Sequence, residues 1–137
     1  MFEPDPNVEQ EFEDLFDQLD EQLARAAVEY LRAAMNQPGT GTKWPTLPNT
    51  SSAPGEYPAA QSHKLLDSLD AQKVAGEWQF GSFNAPPEAW ALEYPSPPGS
   101  PIPRQSAHGA RPWLSKLLGD PVAHAAIWAS LDTILGR

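Results

Sequence analysis

The 137-residue sequence contains no cysteine, which excludes a disulfide framework, a thiolate metal site and a cysteine nucleophile. It has no apolar run near the ~18 residues needed to cross a membrane. Its start lacks the basic and apolar regions of a signal peptide, so a soluble chain made in a cytoplasm is expected. No internal repeat is present. Bases are scarce: 9 Lys and Arg stand against 18 Asp and Glu, a formal net charge of −9, with a sequence pI near 4.6. That balance argues against a module that grips phosphate backbones or anionic membranes.

Bases are absent altogether up to Glu21, where Glu3, Asp5, Glu9, Glu11, Glu13, Asp14, Asp17, Asp20 and Glu21 accumulate. From Gln22 onward nine acids and nine bases cancel, so the net charge belongs entirely to the N-terminal stretch. Hydrophobic residues make up 40%, low for a globular domain, while the 16 prolines are more than twice the usual ~5%. The length suits one domain.

The strongest periodic signal is the first. Val8, Phe12, Leu15, Phe16, Leu19, Leu23, Ala26, Ala27, Tyr30, Leu31 and Ala34 recur at three- and four-residue steps, the apolar stripe of an α-helix. Asp5 and Pro6 suit its start and Gln37-Pro38-Gly39 its stop, giving a long acidic helix over 1–37. Arg25 and Arg32 fall within reach of Glu21 and Glu29. A helix of about eight turns exceeds the mean of roughly three and needs a long surface to lie against.

A proline-rich loop over 38–60 follows, and loops of that length are often functional. A short helix and sheet region is expected over 61–94. In it Leu65, Leu66 and Leu69 face inward from the helix. Val74, Gly76, Trp78 and Phe80 alternate with Lys73, Glu77 and Gln79 as in a strand or tight hairpin. One further short helical segment is expected at 87–92, with Trp90 and Leu92 packing. A second proline-rich loop covers 95–110. The C-terminal helices cover 111–137, the last one capped by Asp120, opened by Pro121 and closed by Gly136. Its expected core stripe is Val122, Ala126, Ile127, Leu131, Ile134 and Leu135. The fold class expected is α+β: a long N-terminal helix, a small antiparallel sheet, short helices and a C-terminal helix, with two proline-rich loops.

Tests for catalytic chemistry return little. His63, His108 and His124 have no partner at metal-ligand spacing, and the acids lack the pattern and central glycine of a calcium loop. There is no serine nucleophile elbow and no phosphate-binding glycine loop. The acids of the first helix read as a solvated face. A carboxylate hydrolase would have to rely on a pair such as Glu56 and Glu93 in a cleft. No enzyme activity, cofactor or metal is expected. The five tryptophans point to assembly, with Trp44 and Trp113, beside loops, as candidate anchors of a protein–protein interface.

An ordered series of motifs runs from about Lys43 to Leu118. It comprises Ser52-Ala53-Pro54-Gly55-Glu56-Tyr57-Pro58-Ala59, then Leu65-Leu66-Asp67-Ser68-Leu69, then Phe80-Gly81-Ser82, then Ala89-Trp90-Ala91-Leu92-Glu93-Tyr94, then Arg111-Pro112-Trp113-Leu114. The series resembles the tail-component or neck protein family of long-tailed bacteriophages, small proteins that complete the tail or join it to the head. It departs from the family pattern at His63-Lys64, where a Thr-Gly pair is usual, and at Tyr94-Pro95, where Phe-Gly is usual.

The resemblance implies a non-enzymatic virion protein of the neck or tail, assembled in the host cytoplasm. It implies a homo-oligomeric, six-fold ring around the DNA channel. The ring would contact a head-closure or connector protein and a tail terminator or tail tube protein, and DNA would pass without sequence-specific binding. No membrane is involved. The interface residues expected are Trp44, Pro54, Gly55, Glu56, Tyr57, Glu93, Tyr94, Arg111, Pro112 and Trp113. Prolines fix φ and lower the entropy lost on docking, and Arg111 offers a bidentate fork to a carboxylate beside the Trp113 anchor. Glu9, Glu13, Asp17 and Asp20 are expected to face the lumen or a basic partner. The alternative reading is an acidic, DNA-mimic-like module that inhibits a nucleic-acid-binding protein.

Overall fold

The structure, a computed structural model, describes residues 6–53, 55–84, 86, 113–134 and 136. The architecture is α+β. Helix α1 spans Pro6–Met35, 30 residues, and ends where Pro38 forbids continuation. Its last carbonyl is not left open: the Ala60 amide donates to Met35 O at 2.8 Å, so the exit of the following loop caps the helix.

The described residues of 36–63 form neither helix nor strand, as the proline content predicts, but the segment is tied to itself. Gly39 N donates to Thr50 O (2.9 Å), Gly41 N to Ser51 O (2.7 Å) and Ser51 N to Thr42 O (3.1 Å). Both glycines are required by the close approach. A Cβ on Gly39 would meet the Ser52 backbone at 2.2 Å, and one on Gly41 the Ser51 carbonyl oxygen at 2.8 Å. Asn49 and Gln61 close the base of the loop reciprocally: Asn49 N donates to Gln61 Oε1 (3.0 Å) and Gln61 Nε2 to Asn49 O (3.1 Å).

A short helix α2, Lys64–Ser68, leads into strand β1, Leu69–Val74, which pairs antiparallel with β2, Glu77–Ser82. The two-residue turn places Ala75 and Gly76 at φ 50° and 82°, the positive values that a type I′ hairpin turn demands. Leu69, expected in the helix, is the first strand residue and opposes Ser82. The register puts Leu69, Ala71, Lys73, Trp78 and Phe80 on the face toward α1. Val74 therefore lies on the opposite face beside Glu77 and is 41% exposed, whereas the alternation groups it with Trp78 and Phe80.

Helix α3, Leu114–Gly119, and helix α4, Pro121–Ile134, meet at Asp120. The Asp120 carboxylate accepts from Val122 N (3.0 Å) and Ala123 N (3.4 Å), the cap expected from sequence. Gly136 takes φ 74° and its amide donates to Thr133 O. The inner face of α4 is Ala123, Ile127 and Leu131; Val122 and Ala126, expected in the core stripe, point outward. The side chain of Ile134, and Leu135, lie outside the described residues, as do the expected segment at 87–92 and the loop over 95–110.

The core gathers Ala24, Ala27, Val28, Leu31 and Met35 of α1 with Leu65, Leu69, Ala71, Trp113, Leu117, Ala123 and Ile127. Every α1 member lies in its C-terminal half. Trp113, expected as an interface anchor, is instead a core residue at 5% exposure.

Candidate assembly surface

Helix α1 leaves the core at about Leu23. Upstream, its apolar stripe continues largely uncovered by the described residues: Val8, Phe12, Leu15, Phe16 and Leu23 are 39–60% exposed, and only Leu19 is half-buried. Isolated exposed apolar side chains are ordinary, but five large ones in register on one helix face form a contiguous patch. The same stretch carries Glu9, Glu11, Glu13, Asp14, Asp17, Asp20 and Glu21 and no base. An ion pair ties it to the hairpin. Lys73 Nζ of β1 lies 2.7 Å from Asp17 Oδ1, both side chains being part-exposed. One turn further in, Arg25 pairs with Glu21 at 3.0 Å and lies 5.4 Å above the Trp78 ring. The Trp78 Nε1 is buried without a hydrogen-bond partner among the described residues. Arg32, expected within reach of the helix acids, donates to Leu69 O and ties α1 to the start of β1.

A second exposed apolar patch lies on the outer side of the C-terminal helices. Leu118 is 62% exposed, Val122 72% and Trp128 60%, with Ala125, Ala126 and Ala129 exposed between them.

The loop over 38–60 is built around Glu56. Its Oε1 accepts from Ala53 N (2.6 Å), Thr40 N (3.1 Å) and Thr40 Oγ1 (2.7 Å). The Thr40 hydroxyl bond, with the two amide bonds, holds the carboxyl below the ordinary glutamate range. Tyr57 OH donates to Asp120 Oδ2 at 2.9 Å, which docks this loop on the α3–α4 corner. Burial first, and then the Asp120 carboxylate, pushes the Tyr57 phenol up; the same bond pulls Asp120 down. Tyr30 packs edge-on against Tyr57 at 6.2 Å, and Lys116 Nζ lies 4.9 Å from its ring.

The sequence-derived interface residues thus separate. Trp44 is 42% exposed and Gly55 is exposed at φ 86°. Glu56 and Tyr57 spend their polar atoms inside the chain. Glu9, Glu13 and Asp20 are exposed, while Asp17 is paired. Pro54, Glu93, Tyr94, Arg111 and Pro112 lie outside the described residues. His63 is exposed at φ 65° and His124 Nε2 lies 2.9 Å from Leu117 O. His108 lies outside the described residues. Among the described residues no group of three or more His, Asp or Glu is arranged to hold a metal ion, and no helix is long and apolar enough to cross a membrane.

The chain matches no protein-family model, no curated protein and no solved structure. What it does therefore has to be argued from its own surface. The residues that sequence reasoning passed over as sites are Val8, Phe12, Leu15, Phe16 and Leu23, and Leu118, Val122 and Trp128. Their apolar periodicity was visible; that no other described residue covers them was not.

Proposed function

We propose that this chain is a non-enzymatic structural subunit of the neck of a long-tailed bacteriophage, one copy of a ring that joins or completes the tail around the DNA channel. One observation carries the assembly reading: half of a 30-residue amphipathic helix stands clear of the core with its apolar stripe open. A subunit that reaches onto a neighbour needs such an arm. The ordered motifs from Ser52 to Leu114 carry the choice of assembly. The loop clamped by Glu56 and anchored by Tyr57 supports the same reading, since a pre-ordered loop loses little entropy on docking. A Glu56 carboxylate already holding three donors is poorly placed to serve as an acid or base.

Antibody raised against the purified chain and carried on gold should label the head–tail junction of particles from the source phage. Label on the capsid or tail fibre, or no label on intact and neck-exposed particles, overturns the reading. The exposed acids Glu9, Glu11, Glu13, Asp14 and Asp20 favour one second reading, the acidic inhibitor of a nucleic-acid-binding protein. A chain that displaces DNA from a basic partner while itself monomeric would mark it.

A further inference from the structure

Resting on the ring reading, we propose that the free arm of α1, residues 7–23, seats on the outer face of α3 and α4 of the next copy. The juxtaposition is of two apolar surfaces that no other described residue covers and that differ from each other. Val8, Phe12, Leu15, Phe16 and Leu23 form one; Leu118, Val122 and Trp128, with Ala125, Ala126 and Ala129, form the other. Two unlike patches make a heterologous contact, which closes into a ring when the rotation is right.

Three features select a second copy, and this face of it. Size is the first. The arm is about 25 Å long and α4 about 21 Å, at 1.5 Å per residue. The eight large side chains expose roughly 900 Å² between them, which with the flanking polar atoms reaches the ~1,200 Å² of a specific interface. Shape is the second. The three alanines let a helix bearing Phe12 and Phe16 approach closely, large side chains filling the space over small ones. Charge is the third. The arm carries seven acids and no base, and among the described residues only Asp17 and Glu21 are paired with cations of the same chain, so packing it on itself would bring ten unpaired carboxylates to one contact. Across α3, α4 and the corner between them the titratable groups are Lys116, Asp120, His124 and Asp132, so the arm meets a nearly neutral surface and keeps its acids at the rim.

The cysteine-free background gives a clean test. Phe12→Cys and Val122→Cys chains, each exposed at its substituted position, are mixed and treated with a short bis-maleimide. A 12–122 cross-linked dimer is expected from the mixture, and a ladder closing at the ring size from the double variant. A Phe12→Cys with Thr46→Cys chain should give no ladder. Phe12→Asp with Phe16→Asp should weaken assembly by ~100-fold in light scattering while leaving the circular dichroism of the monomer unchanged. Rings that form without the 12–122 product, or Phe12→Cys chains that cross-link chiefly to each other, overturn this contact and leave the neck reading standing. A chain that stays monomeric at its highest soluble concentration also overturns the contact; gold labelling of the neck then decides the broader reading separately.

Discussion

Glu56 shows how a residue that reads as a partner contact can be spent at home. Its carboxylate gathers Thr40 and Ala53, residues 16 and 3 positions away, and so sets the shape of the loop it sits in. Replacing it by Ala strands two amides and a hydroxyl, and should lower the thermal midpoint by about 5 °C. Gln, which keeps an acceptor oxygen, should cost less. The pH dependence follows from the same bonds. Glu56 and Asp120 titrate lower folded than unfolded, so their stabilisation is present above their ordinary values of about 4.3 and 3.9 and is lost as pH falls through the depressed ones. Tyr57 and Tyr30 titrate higher folded, so theirs is complete below about pH 10 and is lost as pH rises through the raised values. Thermal midpoints measured across pH should therefore fall at both ends, with Glu56→Gln flattening the acid limb and Tyr57→Phe the alkaline one. Ala75 is a second residue-scale case. At φ 50° it occupies a position that favours Asn, and Ala75→Asn should stabilise the hairpin by ~0.5 kcal/mol in urea unfolding.

At the scale of elements, legibility followed how sharply each segment's pattern distinguishes one face from another. α1 was readable to within a residue or two because its polar face is charged and its apolar face is not. The last helix was placed correctly by Asp120, Pro121 and Gly136, yet its inner face was misassigned. Val122, Ala123, Ala125, Ala126, Ile127, Ala129 and Leu131 wrap it on nearly all sides, so periodicity carries little phase, and packing against α1 chose Ala123 and Ile127. The hairpin was visible as alternation, but its turn at Ala75-Gly76 rather than the alternation fixes the register, which is why Val74 fell on the outer face. The clamp inside residues 38–60 was not legible, since Thr40 and Glu56 are joined only by the folded path of the loop. Leu31, fully buried, and Phe12, 55% exposed, occupy the same stripe. Leu31→Ala should cost about 3 kcal/mol in urea unfolding, and Phe12→Ala close to nothing in the monomer. Gly39→Ala, forced against the Ser52 backbone, should cost more than ~2 kcal/mol, while Gly119→Ala, with open space around it, should be tolerated.

For the whole molecule, the division along α1 matters more than any single contact. Residues 24–35 are held by the core; residues 7–16 touch none of it. Hydrogen exchange on the isolated chain should show rapid exchange over 7–16, since a short helix without tertiary support is marginal in water, and strong protection over 24–35. Protection of the arm should rise on assembly. A chain beginning at Asp17 keeps the pair with Lys73 and should unfold within ~3 °C of the parent.

The arm joins an open apolar stripe to nearly all the surplus negative charge of the protein, and this has a consequence for the pool of free subunits. On the proposed ring reading, copies not yet assembled would present sticky surfaces, and each would carry its own repulsive collar at the place where it is stickiest. Such a collar would act as a solubility gate, disfavouring arm-to-arm clumping while leaving the proposed docking on a nearly neutral face untouched. Neutralising it, by bringing the pH toward 4.6 or by exchanging Glu9, Glu13 and Asp20 for their amides, should turn a stable stock of free subunits into one that precipitates within its normal working concentration.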